Sequence, residues 1–303
     1  MLVVLGNACA DVTCYMSQMP RPGETVLALQ MHEDIGGKGI NQAVAARRTG
    51  AQVHLVAAIG NDATAAAIRN ILSLEGLSED GLIAIGPFSD RSVIMVDSCG
   101  ENSIVSFAAL AQNMLWEQAQ GRVALAANDS LLLQGNLSAH VSAAAIARAK
   151  SVGARVIVNA APMQPWLAGN AGSIDLLVVN HLEACQWASL PQTATADCVI
   201  SYLGMPRTCI TLGGGGCLVR DGERCTRITA PRVDVVDTTG AGDVFTGTLA
   251  AEWSCGATVE NAARLAVLAA SDKVQRRGTI SVFPTSAMLY SLRTHSGREH
   301  LGQ

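Results

Sequence analysis

Short runs of apolar residues alternate with Ala-rich stretches of helical periodicity along most of the 303-residue chain. The apolar runs are continuous rather than alternating, which is typical of strands that are covered on both faces. This succession of strands and helices predicts an α/β fold with a central, mainly parallel sheet and helices on both faces. The predicted strands span residues 2–5, 53–57, 130–133, 155–158, 175–178 and 208–211. The predicted helices span residues 39–49, 62–75, 139–151, 182–188, 241–253 and 259–274.

Two segments, residues 12–35 and about 88–108, instead alternate apolar and polar positions without helical periodicity. We expect antiparallel strands there, outside the main sheet. A small β-sheet lid over the carboxyl ends of the parallel strands would fit, because open α/β sheets bind ligands at that edge. No linker-like segment or internal repeat interrupts the chain, so we predict a single domain over residues 1–303. Its polar tail, residues 294–303, is expected to be disordered.

Composition narrows the possible functions. Hydrophobic residues make up 49% of the chain, charged residues only 15%, and the net charge is −4. A nucleic-acid binder normally needs a basic face, so that class is disfavoured. No apolar run reaches membrane-spanning length, and no basic leader precedes the first strand. The nine cysteines are dispersed without a Cys-x-x-Cys pair, which favours a reducing, cytoplasmic location over a zinc site.

The most informative stretch is Val-Asp-Thr-Thr-Gly-Ala-Gly-Asp at residues 236–243, where a Gly-rich turn enters a predicted helix. The first amides of a helix bind anions, and Gly240 and Gly242 leave those amides open. Asp243 beside such a site could accept a proton from an attacking hydroxyl. Helix capping is the structural alternative for the same carboxylate. This stretch alone leaves both interpretations open.

A second Gly-rich turn, Gly-Gly-Lys-Gly-Ile-Asn-Gln-Ala at residues 36–43, lies where the predicted lid rejoins the body. It matches neither the Walker motif nor the dinucleotide-binding pattern Gly-x-Gly-x-x-Gly. The absence of the latter after the first strand disfavours a nicotinamide-dependent oxidoreductase. A lid hinge, a ligand contact and an ordinary flexible connection are all consistent with this turn.

Three further positions allow a functional and a structural interpretation each. Asp11 follows the first strand, where it could bind sugar hydroxyls or simply lie in a turn. Asn180 and Glu183 have the spacing of a helix capping box. Residues 210–216, Ile-Thr-Leu-Gly-Gly-Gly-Gly, could contact a nucleotide or form a hairpin.

In this order, the motifs resemble the ribokinase family of carbohydrate kinases, the phosphofructokinase-B type. The resemblance covers about residues 1–290 and is most specific at residues 36–43 and 237–247. It implies a ribokinase-like fold, ATP and Mg²⁺ as cofactors, and phosphorylation of a sugar hydroxymethyl group, with ribose or a related pentose as the expected acceptor. It also implies a homodimer formed through the lid. A nucleoside, ketohexose or deoxy-sugar kinase and a non-catalytic sugar-binding regulatory protein are the alternatives.

The resemblance also implies roles for individual residues. Asp243 is the general base, and the amides of Gly240, Ala241 and Gly242 form an anion hole for the transferring phosphate. The substrate-binding positions are Cys9, Asp11, Gly37, Lys38, Asn41 and Asn136. The nucleotide-binding positions are Asn180, Thr211, Gly213 and Gly216, with Glu183 organising Mg²⁺ through water. A monovalent cation, K⁺, is implied near Asp237, Thr239, Lys273, Arg276 and Gly278.

Three positions depart from the ribokinase pattern. Cys9 stands where ribokinases carry Asn, and Asn136 stands where they carry Glu. Both positions contact sugar in that family, so the hydroxyl pattern of the acceptor stays open. Val282 stands where a Ser is usual near the cation site, with Ser281 beside it, which weakens the case for K⁺.

Overall fold

The computed structural model describes residues 1–99 and 102–298, which form two β-sheets and flanking helices. The strands are β1 Leu2–Asn7, β2 Cys9–Tyr15, β3 Gln30–Gly36, β4 Val53–Ile59, β5 Leu82–Ala84, β6 Asp90–Val96, β7 Asn102–Phe107, β8 Ser130–Gln134, β9 Arg155–Asn159, β10 Leu176–Asn180, β11 Arg207–Thr211, β12 Cys217–Asp221 and β13 Arg224–Ile228. The α-helices are α1 Lys38–Arg48, α2 Ala63–Leu74, α3 Ala109–Asn113, α4 Trp116–Ala119, α5 Ala139–Ser151, α6 Pro165–Gly169, α7 His181–Ala188, α8 Ala196–Tyr202, α9 Ala241–Ser254, α10 Val259–Lys273 and α11 Ser286–Arg298.

The main sheet has nine strands in the order β13-β12-β11-β10-β9-β8-β1-β4-β5. The strands from β11 to β5 run parallel, and β12 and β13 add an antiparallel edge. Strand β1 lies in the interior, with Leu2 paired to Val53 on one side and to Ser130 on the other. The carboxyl ends of β1, β8, β9, β10 and β11 therefore meet at one edge, as expected for the ligand-binding edge of an open α/β sheet.

Two apolar cores cover the two faces of this sheet. Leu2 and Val4 of β1 contribute to one core, whereas Val3 and Leu5 contribute to the other. The first core is closed by helices that include α1, α9 and α10, and the second by helices that include α5, α7 and α8. Because alternate side chains of a strand point to opposite faces, a strand between two cores must be apolar at every position. This explains the continuous apolar runs in the sequence.

The second sheet has four strands in the order β3-β2-β6-β7 and forms the lid. Strand β2 begins two residues after β1 ends, and β3 leads through Gly37 directly into α1. The lid is therefore joined to the body at the edge where the parallel strands end. The predicted lid segments contain all four of these strands except the first residues of β2 and the last residue of β3.

The predicted strands and helices of the body coincide with observed elements, with ends that differ by at most two residues. Near the carboxyl terminus, α11 extends to Arg298 and so includes residues 294–298 of the predicted tail. Leu289 and Leu292 pack against the first core, and this packing stabilises the otherwise polar helix α11. Residues 299–303, the rest of the predicted tail, lie outside the described residues. Within the part of the chain that the structure describes, no helix has the length and apolar character to cross a membrane.

Candidate active site

The N-terminus of α9 lies at the ligand-binding edge of the sheet and carries Asp243 in its first turn. Gly240 is the N-cap residue, with a φ of 76° that other residues adopt only with strain. Asp243 is therefore the third helical residue, and its side chain does not cap the helix. The capping interpretation of Asp243 is wrong, which leaves its buried carboxylate for another use.

Two amide side chains from α1 hold the Asp243 carboxylate. Asn41 Nδ2 donates to Oδ2 at 3.0 Å, and Gln42 Nε2 donates to Oδ1 at 2.9 Å. A carboxylate has about four acceptor positions, so both oxygens keep free lone pairs. The carboxylate is thereby fixed in orientation while still able to accept a proton.

Gln42 is itself held by two buried residues from the ends of β8 and β9. Gln134 Nε2 donates to Gln42 Oε1 at 2.9 Å, and Gln42 Nε2 also donates to Asn159 Oδ1 at 3.0 Å. Sequence analysis missed Gln42, Gln134 and Asn159. Gln42 could have been found from its position next to Asn41 in the Gly-rich turn. Gln134 and Asn159 lie at strand ends, where no sequence motif distinguishes them.

The backbone amides at this helix end differ in availability. The Ala241 amide donates to the carbonyl of Thr238 at 3.1 Å. The amides of Gly240 and Gly242 have no hydrogen-bond partner among the described residues. Two of the three predicted anion-hole donors are thus free to bind an anion, and the third closes the preceding turn.

Asp11 lies on β2 and faces the same region. Burial raises the pKa of the Asp11 carboxyl group, and the nearby charge of Asp243 also raises it. Hydrogen bonds from Cys9 and Ser92 act to lower this pKa but do not outweigh burial. Cys9 Sγ donates to Asp11 Oδ1 at 3.4 Å, and burial raises the pKa of this thiol well above its usual value. A Cβ on Gly36 would lie 1.9 Å from Asp11 Oδ2, so only glycine allows this approach of β3.

A cavity of about 610 Å³ separates the lid from the body beside Asp11. Polar side chains of the lid line one wall, and the loops around Asp237 and Gly278 line the other. The lid contributes Asp11, Thr13, Tyr15, His32 and Asp34. The lid also contributes the apolar side chains of Ile94 and Val96, and this space is called the cleft below.

Two further amide side chains, those of Asn41 and Asn136, carry unused acceptors. Asn136 donates through Nδ2 to Asn7 Oδ1, which also accepts from the Gly39 amide at 3.3 Å. Asn136 Oδ1 and Asn41 Oδ1 are buried and have no hydrogen-bond partner among the described residues. Buried polar atoms are rarely left unpaired, so these oxygens are suited to accept hydroxyl protons from a ligand.

A second cavity of about 540 Å³ adjoins the helix end on its other side. Three predicted nucleotide-binding residues, Thr211, Gly213 and Gly216, line it together with Ala241 and Gly242. The rest of its wall is largely apolar and includes Val235, Phe245, Val267, Ala270 and Val274. The hairpin interpretation of this segment is also correct, because β11 and β12 pair as an antiparallel hairpin.

Asn180 and Glu183 form the capping box of α7. Asn180 Oδ1 accepts from the Glu183 amide, and Glu183 Oε2 accepts from the Asn180 amide, both at 2.8 Å. Burial raises the pKa of Glu183, while the charge of Lys38 acts in the opposite direction. The structure therefore places Lys38 close to Glu183.

The loop that leads into α9 is anchored through Asp237. Its Oδ1 accepts from the Thr239 amide and its Oδ2 from the Gly278 amide, both at 2.9 Å. Burial acts to raise the pKa of Asp237, but these amides and the charge of Lys273 outweigh burial and lower it. Lys273 is fully buried, and its Nζ donates to the backbone carbonyl of Asp237 at 2.8 Å. The side chain of Arg276 binds Asp272 and the carbonyl of Val282 instead.

Comparison with known proteins agrees with this architecture. The chain matches the model of the pfkB family carbohydrate kinases over residues 1–286. It is 31% identical over 294 residues to a ribokinase from Haemophilus influenzae, with 94% of this chain and 95% of the relative covered. It is also 31% identical to a deoxyribokinase from Salmonella typhi over the same shares of the two chains, 94% and 95%.

Solved structures show the same fold. Arabidopsis thaliana ribokinase, in a complex with ribose and ATP, superposes with a TM-score of 0.85 and is 27% identical, with 96% of this chain and 98% of that chain covered. Thermotoga maritima ribokinase superposes with a TM-score of 0.83 at 26% identity, with 97% and 99% covered. The chain thus belongs to the pfkB family of carbohydrate kinases, and it is a sugar kinase with the ribokinase fold.

Proposed function

We propose that this kinase transfers the γ-phosphoryl group of ATP to a hydroxymethyl group of a small sugar, with Asp243 as the general base. One observation carries the proposal: the oriented carboxylate of Asp243 lies in the same helical turn as the free amides of Gly240 and Gly242. The start of this helix lies between two cavities, because Thr238 and Thr239 line the cleft and Ala241 and Gly242 line the second cavity. The solved Arabidopsis relative, which holds ribose and ATP, supports this assignment of the two spaces.

Each part of the site has a chemical task in this reaction. The Asp243 carboxylate accepts the proton of the attacking hydroxyl, and Asn41 and Gln42 keep it aimed at the cleft. The amides of Gly240 and Gly242 stabilise the negative charge of the transferring group, helped by the dipole of α9. Phosphoryl transfer depends mainly on such positioning and charge stabilisation.

The apolar cavity suits the nucleotide. Its aliphatic and aromatic walls fit a purine base, while Thr211, Gly213 and Gly216 offer backbone and hydroxyl groups. Glu183 keeps one carboxylate oxygen outside its capping box and lies near the charge of Lys38. Glu183 would hold Mg²⁺ through water, and the metal would neutralise phosphate charge during transfer.

The sugar acceptor would bind in the cleft. Asp11 accepts hydroxyl protons there, and the unpaired Oδ1 atoms of Asn41 and Asn136 add two more acceptors. Gly37 and Lys38 adjoin them at the start of α1. This acceptor-rich set fits ribose or a related pentose.

One observation favours a deoxy sugar as the second candidate. The Cys9 thiol is a weak donor that is already directed at Asp11, so this position offers a sugar hydroxyl little. A sugar that lacks the hydroxyl facing Cys9 would lose no hydrogen bond at this position. The 31% identity to the Salmonella deoxyribokinase is compatible with either acceptor.

The test is ADP release with ATP and Mg²⁺ against pentoses, deoxy sugars, ketohexoses and nucleosides, for the native enzyme and Asp243→Asn. We expect turnover on a pentose or deoxy sugar, and loss of at least about 10³-fold in kcat in the variant, because the base is removed. ATP binding, measured by calorimetry, should change little. Turnover by the variant at the native rate would remove Asp243 from its role. Sugar binding without turnover by the native protein would favour the regulatory alternative.

We also propose that the protein forms a homodimer through the outer face of the lid. The strand register places Val12, Val93 and Val105 in one row on that face, next to Met31, Cys14 and Met95. Met31, Val93 and Val105 are exposed in the isolated chain. These side chains form an apolar patch around the Glu33–Arg91 ion pair of the same face, and an exposed apolar patch of this kind is typical of a protein interface.

A further inference from the structure

We propose that the ammonium group of Lys273 supplies, from within the chain, the positive charge that a monovalent cation would bring to the Asp237 loop. The kinase would then not require K⁺. The activity part of this inference rests on the proposed function, whereas its cation-binding part does not.

The position of Lys273 is unusual for a lysine. It is the last residue of α10, its side chain is 0% exposed, and its Nζ lies 2.8 Å from the Asp237 carbonyl and 3.7 Å from Asp237 Oδ2. Lysine is almost never fully buried without a partner, because its ammonium loses hydration. Here the partner is the residue that starts the loop into the anion hole.

Asp237 connects this charge to the site of phosphoryl transfer. Its carboxylate binds the amides of Thr239 and Gly278 and so joins two loops, while its own amide donates to the Val274 carbonyl at 3.1 Å. Two residues separate Asp237 from Gly240, whose free amide begins the proposed anion hole. A charge that fixes Asp237 therefore also fixes the conformation of the amides that bind the phosphate.

The groups around Asp237 do not fit a bound K⁺. The carbonyl of Lys273 already accepts from the Arg276 amide at 3.1 Å, and the carbonyl of Val282 accepts from the Arg276 side chain. Val282 offers no hydroxyl where the ribokinase pattern has Ser. The Asp237 carboxylate keeps lone pairs beyond the amides of Thr239 and Gly278, but the Lys273 ammonium already lies 3.7 Å from its Oδ2.

The positive charges around Asp237 also argue against a bound K⁺. A cation beside Asp237 would lie close to the Lys273 ammonium and near the Arg276 guanidinium, and like charges repel strongly where water is scarce. The single negative charge of Asp237 is already matched by Lys273. The predicted K⁺ site is therefore replaced by an internal ion pair.

A purely structural role is the competing explanation, in which Lys273 only ties α10 to the loop. The two explanations differ in what happens when the ammonium is removed but its space is kept. Lys273→Ala leaves space that a small cation can enter, whereas Lys273→Met fills that space with an apolar chain. A bound cation can therefore replace the lost ammonium charge in Lys273→Ala but not in Lys273→Met.

The experiment measures sugar-dependent ADP release in increasing KCl, with ionic strength held constant by tetramethylammonium chloride. We expect the native rate to change by less than about twofold, because its charge is built in. Lys273→Ala should lose about 10²-fold in kcat and regain at least about tenfold with K⁺ or NH₄⁺, while Lys273→Met should show no recovery. Lys150→Ala, which removes a lysine from an exposed ion pair with Asp175, is the matched control and should behave as native.

Cation binding is measured independently by thermal unfolding of the same proteins in K⁺ and in tetramethylammonium. The native Tm should be equal in both salts, and the Tm of Lys273→Ala should rise in K⁺ because a ligand that binds only the folded state stabilises it. Native activation by K⁺ of more than about tenfold, or a K⁺-specific rise in the native Tm, would overturn the proposal. Absence of recovery in a folded Lys273→Ala protein would favour the structural role. If no sugar is turned over, the proposed function fails, while the native unfolding measurements still test the Lys273 assignment.

Discussion

At the scale of single residues, the site contains two carboxylates in different surroundings. Asp243 accepts hydrogen bonds from Asn41 and Gln42, whereas Asp11 is buried on the lid and accepts from the Cys9 thiol. Burial raises the pKa of Asp11, and the charge of Asp243 adds to this effect. The charge of Asp243 disfavours ionisation of Asp11, so the two carboxylates repel one another.

Asp11→Ala should weaken sugar binding far more than it slows transfer. The substitution removes a charged hydrogen-bond acceptor from the cleft, at a cost of about 2–4 kcal/mol, and should raise the sugar KM by about 30-fold to 10³-fold. Steady-state kinetics at saturating ATP would measure this change. Glu33→Gln, which alters a carboxylate on the outer face of the same lid, is the control and should leave KM unchanged. A native-like KM in Asp11→Ala would place the sugar elsewhere.

The positions of candidate residues could be predicted where several sequence motifs pointed to the same edge of the sheet. The Gly-rich turns and the Asp11, Asn41 and Asp243 side chains do converge, because each follows or begins an element at the same edge of the sheet. Gln134 and Asn159 escaped prediction because their role depends on contact with Gln42 across three elements. A single polar residue at the end of a strand carries no sign of such a partner.

At the scale of elements, α9 presents both the proposed base, Asp243, and the free amides of Gly240 and Gly242. Its N-terminus begins at Gly240 in a left-handed conformation, and its C-terminal carbonyls of Trp253 and Ser254 accept from the Arg155 guanidinium. Arg155 also stacks on the Trp253 ring at 4.5 Å. Cationic groups at a helix C-terminus stabilise the helix, so α9 is held firmly at the end opposite the site.

Gly240→Ala tests the geometry of the helix start. An alanine at a φ of 76° costs about 1–2 kcal/mol, and its Cβ would lie 3.1 Å from the Phe283 ring. We expect a matching loss in the free energy of unfolding, with kcat reduced at least about tenfold because the amides shift. Denaturant unfolding and steady-state kinetics would measure the two effects.

Gly256→Ala is the control at the opposite end of the same helix. Gly256 has a φ of 99° with open space around it, so the variant should lose comparable stability. Its kcat should stay native, because the strain lies far from the amides. Equal kcat values for the two glycine variants would contradict an anion hole at Gly240.

At the scale of the whole molecule, the lid closes one side of the cleft and exposes an apolar outer face. Its inner face carries Asp11, Thr13 and His32 toward the cleft, while Val93 and Val105 point away from it. Because neighbouring residues of a strand alternate between faces, the proposed ligand-binding face and the proposed subunit contact lie on opposite faces of one sheet. Pairing of two lids would bury the outer face.

Val105→Glu should convert the proposed dimer to a monomer. The substitution places a charge in the apolar patch of the outer face, on the edge strand β7, and burying an unpaired carboxylate is strongly unfavourable. Sedimentation velocity over a range of protein concentrations would measure the change. Tyr202→Glu, at an exposed aromatic position on α8, is the control and should keep the native state of association. A native protein that is monomeric throughout would exclude the proposed interface.

The sequence by itself determined the layered α/β fold and the lid, and its motifs named the candidate site residues, because hydrophobic periodicity and Gly-rich turns can be recognised along the chain without coordinates. Only the tertiary structure decided how the side chains are used. It excluded helix capping by Asp243, left two amides free at the helix end and joined Gln42 to the ends of β8 and β9. It also placed the Lys273 ammonium against Asp237, where the sequence had implied a cation. The reason is physical: burial and pairing of a polar group depend on residues distant in the chain, whereas the pattern along the chain records only which face of an element is covered.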